Sequence, residues 1–225
     1  MGIVVVSACF YKSTSKVERF KKSCREHSIK PVLYGVRERF RGFVDAKIKR
    51  LQMVLKKLKE DYVVFIDCAD AVFLGGLDEL WEAYCELSPE RKIVISGDKR
   101  CWPHRKYARR LKKRNGPDST QPYICAGFFM GPRLELIKAL SVLVDLYKNN
   151  HKLGSKLKED DQGYWMEAVC TCKIDADIDA HGSLCLSMAH QPDDIIKGGV
   201  MSTGVKPVII HYNGLSKHLI GHHNG

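Results

Sequence analysis

No acidic residue occurs between Lys99 and Arg114, and no two of the nine cysteines stand in C-x-x-C spacing. The odd cysteine count, with Cys170-Thr171-Cys172 as the one close pair, argues against a disulfide framework. It points to reduced thiols in a cytosolic protein. No apolar run approaches the length of a transmembrane helix. Met1–Ser7 lacks a basic n-region, and its apolar run is too short for a signal peptide. Val6 stands where a myristoylation site requires Ser or Thr. The expectation is therefore a cytoplasmic protein with no membrane partner. Internal repeats and low-complexity linkers are absent too, so the 225 residues are expected to form one domain over 1–225.

What the chain has in excess is positive charge, a formal +11. Such an excess favours polyanionic partners: nucleic acid, an anionic membrane or a phosphorylated substrate. Lys99 to Arg114 supplies nine of the positive charges: Lys99, Arg100, Arg105, Lys106, Arg109, Arg110, Lys112, Lys113 and Arg114. The stretch reads as a solvated helix face or as a surface for phosphate backbone. Clustered rather than dispersed charge is the footprint of the second.

Hydrophobic periodicity gives alternating elements. Ile3–Ala8 and Pro31–Tyr34 read as strands. Thr14–Arg25 reads as a helix capped by Ser13 or Ser15, with Val17, Phe20 and Cys24 on one face. Arg37–Phe43 reads as a loop. Asp45–Lys59 is a helix with an apolar stripe from Ile48 to Leu58, its lysines and arginines covering the other face. Val63–Ile66 is a strand buried on both faces. Leu77–Leu87 reads as a helix and Ile93–Ile95 as a further strand. The order β-α-β-α-β-α-β predicts a doubly wound α/β sheet. Tyr123–Gly131 has small residues at its centre, and Gly127 there suggests close backbone approach. Leu134–Tyr147 and Gln162–Val169 read as helices and Val208–Ile210 as a last strand.

The strand at Val63 breaks into Asp67-Cys68-Ala69-Asp70. Two carboxylates at the carboxyl end of a parallel strand lie where ligands bind in open α/β sheets. They suit a hard divalent cation shared with substrate phosphates. A solvated turn, or Asp70 capping a helix, is the plain alternative. Asp160 likewise reads as a helix cap as readily as a catalytic group.

Taken in order, five blocks resemble one family. They are the basic segment around Arg41–Leu51, F-I-D-C-A-D-A-V, S-G-D-K-R-C-W-P, Y-I-C-A-G-F-F-M-G, and D-D-Q followed by H-Y-N-G-L-S-K. Together they resemble the glycosyltransferase domain at the front of multifunctional lysyl hydroxylases, the collagen hydroxylysine glycosyltransferases. The resemblance implies a GT-A-type, Rossmann-like fold, a mostly parallel sheet flanked by helices. It implies a UDP-sugar donor and Mn²⁺ (or Mg²⁺), with Asp67, Asp70 and His211 as metal ligands. Asn213, Gly214 and Lys217 would line the diphosphate, Gly127 the donor site and Trp102 the sugar or acceptor side. Asp161 and Asp160 would stand at the reacting centre. Position 69, which stacks on the base as an aromatic in that family, is Ala69 here. The family's N-S-G is Cys125-Ala126-Gly127, without the two polar side chains that could hold the donor sugar.

The chemistry of such a set is coherent. A metal and Lys217 offset charge on a departing diphosphate, and a carboxylate positions or deprotonates the acceptor hydroxyl. Hydroxylysine is the acceptor the resemblance implies. A basic cytosolic enzyme also suits the hydroxymethyl group of a modified pyrimidine in DNA, with Lys99–Arg114 on the phosphates and the base out of the stack; this is the preferred expectation. A non-catalytic nucleic-acid-binding module on a transferase scaffold is the reading from another class. Ala69 and Cys125 speak for it, and the retained Asp67, Asp70, Asp161, His211 and Lys217 speak against it. A nucleotide hydrolase using the same metal site is a further alternative.

Overall fold

The computed structural model describes residues 1–149, 160–189, 195–196, 200–201, 204–214 and 216. The first strand, β1 (Ile3–Ala8), is followed by a 3-10 turn at Thr14–Val17 and helix α1 (Glu18–Glu26). The Ser13 hydroxyl caps that turn, accepting from Ser15 N at 3.2 Å. Then come β2 (Val32–Tyr34) and a helix α2 that starts wide, as a π-type winding over Val44–Lys49, and tightens to α over Arg50–Leu55. The expected helix over Asp45–Lys59 thus starts one residue earlier and ends short.

β3 (Tyr62–Ile66), β4 (Ala71–Phe73), α3 (Leu77–Leu87) and β5 (Ile93–Asp98) follow. A second 3-10 turn, Arg105–Tyr107, leads into α4 (Ala108–Asn115), and β6 (Tyr123–Pro132) runs directly into α5 (Arg133–Asn149). The remaining elements are α6 (Asp161–Cys170), β7 (Ala176–Asp179), β8 (Cys185–Ser187), a short antiparallel pair β9 (Ile195–Ile196) and β10 (Val200–Met201), and β11 (Ile209–His211).

The main sheet has the order β2-β1-β3-β6-β5-β7. β2, β1 and β3 pair parallel, as do β5 and β7, while β6 runs antiparallel to both β3 and β5. The sheet is therefore mostly parallel but not the uninterrupted doubly wound one that the β-α alternation predicts. β6 runs against the grain because it starts where β5 ends, Asp98 pairing with Tyr123, so the 3-10 turn and α4 between them return the chain to the same end of the sheet instead of crossing it. β4, β11 and β8 form a second small sheet, which the apolar stretch after Asp70 does not announce.

Side-chain alternation along the strands divides the core. Val63 and Phe65 face one layer with α2, α5 and α6; Val64 and Ile66 face the other, with α1, α3 and the small sheet. Phe65 stacks on Phe129 across the β3–β6 pair, with centroids 4.7 Å apart and planes at 13°. Truncating a fully buried Phe of this kind costs about 3–5 kcal/mol. This packing fixes the carboxyl end of β3, from which the candidate site is built.

Candidate active site

Three features bring the site together. β3 carries the chain to Asp67, whose N–H bonds Gly127 O at 2.9 Å. Asp70 follows on the turn into β4. β4 then pairs antiparallel with β11 in the register Ala71↔His211, and Tyr212 N donates to Asp70 O at 2.7 Å. A strand near the end of the chain thereby sets His211 beside Asp70, with His211 Nε2 3.3 Å from Asp70 Oδ1.

The register of β5 on β6 jumps from Ile95↔Phe129 to Ser96↔Cys125, so Ala126, Gly127 and Phe128 bulge from the ladder. Bulges re-aim a strand beside a site, and here the bulge turns Gly127 under the His211 ring. A Cβ on residue 127 would lie 2.0 Å from His211 Cε1, so only glycine leaves room for the ring.

Asp67, Asp70 and His211 offer ligand atoms that all lie within 4.8 Å of one another. Two carboxylates and an imidazole at that spacing fit a divalent cation of the Mg²⁺ or Mn²⁺ class. His211 is buried, which alone would lower its pKa. Its interactions with Asp70 and Cys125 outweigh burial and raise it well above the ordinary range.

Beside these groups lies Lys47, which the amphipathic pattern assigns to the exposed face of its helix. The structure corrects this. The π-type winding turns Lys47 inward, where its Nζ donates to Asp67 Oδ2 at 2.6 Å and stands 3.5 Å from Asp161 Oδ2. Burial opposes its charge, but Asp161 and Asp67 together hold it protonated, with the pKa raised. Asp161 is itself buried, and its Oδ2 has no hydrogen-bond partner among the described residues. Desolvation, opposed by Lys47 and reinforced by Asp67, raises its pKa to about 6.

Asp160 and Asp161 separate in role. Asp160 Oδ1 accepts from Gly163 N at 3.2 Å as the cap of α6, and its Oδ2 accepts from Trp102 Nε1 at 3.2 Å. Asp161, one residue into the helix, faces Lys47 instead. Gln162 ties the same region together, accepting from Ala126 N at 3.2 Å and donating to Trp102 O at 2.7 Å. Trp102 is half exposed on the rim. Asn213 Nδ2 donates to Asp98 Oδ2 at 2.9 Å, and Asn213 Oδ1 accepts from Ala189 N at 2.8 Å.

Asp67, Asp70, Trp102, Gly127, Asp160, Asp161, His211, Asn213 and Gly214 all line one cleft of about 1010 Å³. Lys217 lies outside the described residues. Lys47, Asp98 and Gln162 line the cleft or tie its wall, and sequence reasoning misses them; a lysine on an amphipathic helix carries no mark of burial. Ala69 lines an adjoining cleft of about 370 Å³ with Phe10, Tyr11, Phe40 and Phe43, and this second cleft shares Lys47, Asp67 and Asp70 with the first. Of the basic stretch, Lys99, Arg100 and Arg105 also line the larger cleft. α4 continues from its mouth with Arg109, Lys112 and Lys113 exposed. Arg110 and Arg114 turn toward the Cys172 sulfur and the Ala176 carbonyl.

Comparison with known proteins bears on family and fold. A family model described as PLOD GT domain matches residues 3–224. A protein of Acanthamoeba polyphaga mimivirus named uncharacterized protein R699 is 27% identical over 94% of this chain and 46% of its own length. The procollagen-lysine,2-oxoglutarate 5-dioxygenase of Drosophila melanogaster is 25% identical over 91% of this chain and 29% of its own. The chain thus spans less than half the length of these curated relatives. A glycosyltransferase involved in the glycosylation of the major capsid of PBCV-1 superposes over the whole of both chains, with a TM-score of 0.60 at 11% identity. That likeness speaks to the fold.

Proposed function

The chain belongs to the PLOD GT domain family and is a glycosyltransferase domain; from that premise we propose that it moves a sugar from a UDP-sugar to an acceptor hydroxyl, with a divalent cation. The observation that carries this reading is the meeting of Asp67, Asp70 and His211 with Asp161 on one cleft, where Asp161 Oδ2 is ion-paired to Lys47 but accepts no hydrogen bond from the described residues. A cation there, Mn²⁺ or Mg²⁺, offsets the charge of the diphosphate leaving group. Asn213 and Gly214 line the same wall, with Lys217 assigned beside them by the resemblance.

Asp161 is the general base or electrostatic partner of the reacting centre. Its elevated pKa and an Oδ2 that accepts no hydrogen bond from the described residues suit an incoming hydroxyl that donates one there. Lys47 keeps Asp161 and Asp67 apart as charges by standing between them. The uracil belongs in the smaller aromatic cleft, where Phe10, Tyr11, Phe40 and Phe43 surround the gap left by Ala69.

For the acceptor, the reading is hydroxymethylated pyrimidine in DNA. The cleft's mouth is basic on the side of Lys99, Arg100 and Arg105, and α4 extends that charge outward with no acidic residue in the stretch. Trp102, exposed on the rim, offers a stacking face to a base that has left its helix. A second reading, hydroxylysine of a collagen-like protein, is favoured by the name of the Drosophila relative. The test is a panel of UDP-sugars offered with hydroxymethylated duplex DNA and with hydroxylysine peptide, products read by mass spectrometry. Sugar on the DNA supports the first reading; sugar on the peptide alone replaces it with the second. Free sugar with no acceptor product in either arm indicates a nucleotide-sugar hydrolase.

A further inference from the structure

Cys125 lies on β6 immediately before the bulge and is 2% exposed. Its Sγ is 3.8 Å from His211 Nδ1 and 3.6 Å from Asn213 Nδ2. The orientation of Asn213 is settled by its other partners: Oδ1 takes the Ala189 N–H, and Nδ2 gives a proton to Asp98. The atom of Asn213 that faces the sulfur is therefore a donor, and the sulfur faces it as an acceptor. A thiol sulfur accepts weakly and directs its own proton elsewhere.

The same sulfur meets the far side of the His211 ring. Nε2 points at Asp70 and the ligand cluster, at 3.3 Å from Asp70 Oδ1. A neutral imidazole can give a lone pair at Nε2 only if its proton sits on Nδ1, and a buried Nδ1–H needs an acceptor. Gly127 beneath the ring leaves no space for it to tilt away, since even a methyl group would overlap Cε1. Histidine ligands are commonly fixed through their second nitrogen in this manner, usually by oxygen acceptors.

We infer that Cys125 is a positioning residue for the metal site, its sulfur accepting from His211 Nδ1 and Asn213 Nδ2 so that Nε2, which faces Asp70 at 3.3 Å, presents its lone pair when a cation takes the place of the proton between them. This rests on the metal-dependent reading above. It gives a role to the cysteine standing where the family carries asparagine, and it links one metal ligand to the asparagine on the diphosphate wall.

The test compares the wild type with Cys125→Val, which fills the site with a slightly larger apolar side chain and offers no acceptor, and Cys125→Ser, which restores one. Mn²⁺ affinity is measured by electron paramagnetic resonance of the free ion, without substrate. Cys125→Val should bind Mn²⁺ about 10–100-fold more weakly, the usual effect of losing such a partner, and Cys125→Ser should recover most of the loss. A packing role predicts the reverse: an intact Mn²⁺ site in the valine variant and a weakened fold in the serine variant. Nitrogen-15 spectra of the wild type with Mg²⁺ provide a readout independent of either variant's folding. A proton on His211 Nδ1 is expected; a proton on Nε2 overturns the inference, as does wild-type Mn²⁺ affinity in Cys125→Val. A wild type that binds no Mn²⁺ removes the metal-dependent reading, and this inference falls with it.

Discussion

Asp161→Asn separates a catalytic carboxylate from a structural one, because the two roles predict opposite effects on stability. The carboxyl is buried with its pKa raised from 3.8 to about 6. Each unit corresponds to ~1.36 kcal/mol, so the ionised group costs the fold on the order of 3 kcal/mol at neutral pH. The sign follows from proton binding. Between 3.8 and about 6 the folded protein holds more protons than the unfolded chain, so this group makes stability fall as pH rises through that window. The penalty is absent below the window and complete above it.

The amide is neutral at every pH and nearly the same shape, so it carries no such penalty. In EDTA at pH 7.5 the variant should melt several degrees higher than the wild type, since 1 kcal/mol shifts Tm by roughly 2–4 °C at this size. The gap should close as the pH is lowered toward 4. Turnover should fall by about 10²–10⁴, the range for removing a general base, with UDP affinity little changed because the group acts on sugar and acceptor. Thermal melts at both pH values and initial rates on the same preparations read all of this. Destabilisation at neutral pH, or turnover equal to wild type, refutes the reasoning.

Other outcomes follow from the same geometry. Asp67→Ala, Asp70→Ala and His211→Ala should each abolish transfer and weaken Mn²⁺-supported UDP binding in calorimetry, while circular dichroism stays native. Gly127→Ala should displace the His211 ring, costing about 1–3 kcal/mol by overpacking; a Mn²⁺ titration should show the site weakened beyond that loss of stability. Neutralising Arg109, Arg110, Lys112 and Lys113 together should flatten the dependence of DNA affinity on salt, because a surface that neutralises fewer phosphates releases fewer counterions. Transfer to DNA should drop in that variant, whereas UDP-sugar hydrolysis without acceptor should persist.

Much of this architecture was legible in local pattern. The β-branched run of β1, the apolar run of β3 and the stripe of α2 report burial directly, and D-x-x-D after β3 marks the sheet's carboxyl edge. What local pattern does not carry is direction and long-range register. The run Tyr123–Gly131 carries no mark of direction, yet the antiparallel insertion of β6 creates the bulge that presents Gly127. His211 acquires its meaning from the pairing Ala71↔His211, made across most of the chain. Lys47 looks like any solvated helix lysine; its burial follows from the wide first turns of α2 and from the two carboxylates that meet it. Of the two readings of Asp160, the helix cap is the one the structure shows, and the capping leaves Asp161 to face the cleft. The gap at Ala69 is legible as a missing aromatic, whereas Phe10 and Phe40 opposite it come from separate loops that only the fold assembles.

The proposed function makes this cleft a metal-dependent UDP-sugar site. The most direct measurement is UDP release from a panel of UDP-sugars by the wild type and by Asp67→Ala, in Mn²⁺ and in EDTA. Release by the wild type is expected in Mn²⁺ with at least one donor, abolished by EDTA, restored by added Mn²⁺ and absent in Asp67→Ala. Release that proceeds equally in EDTA and in Asp67→Ala would contradict it.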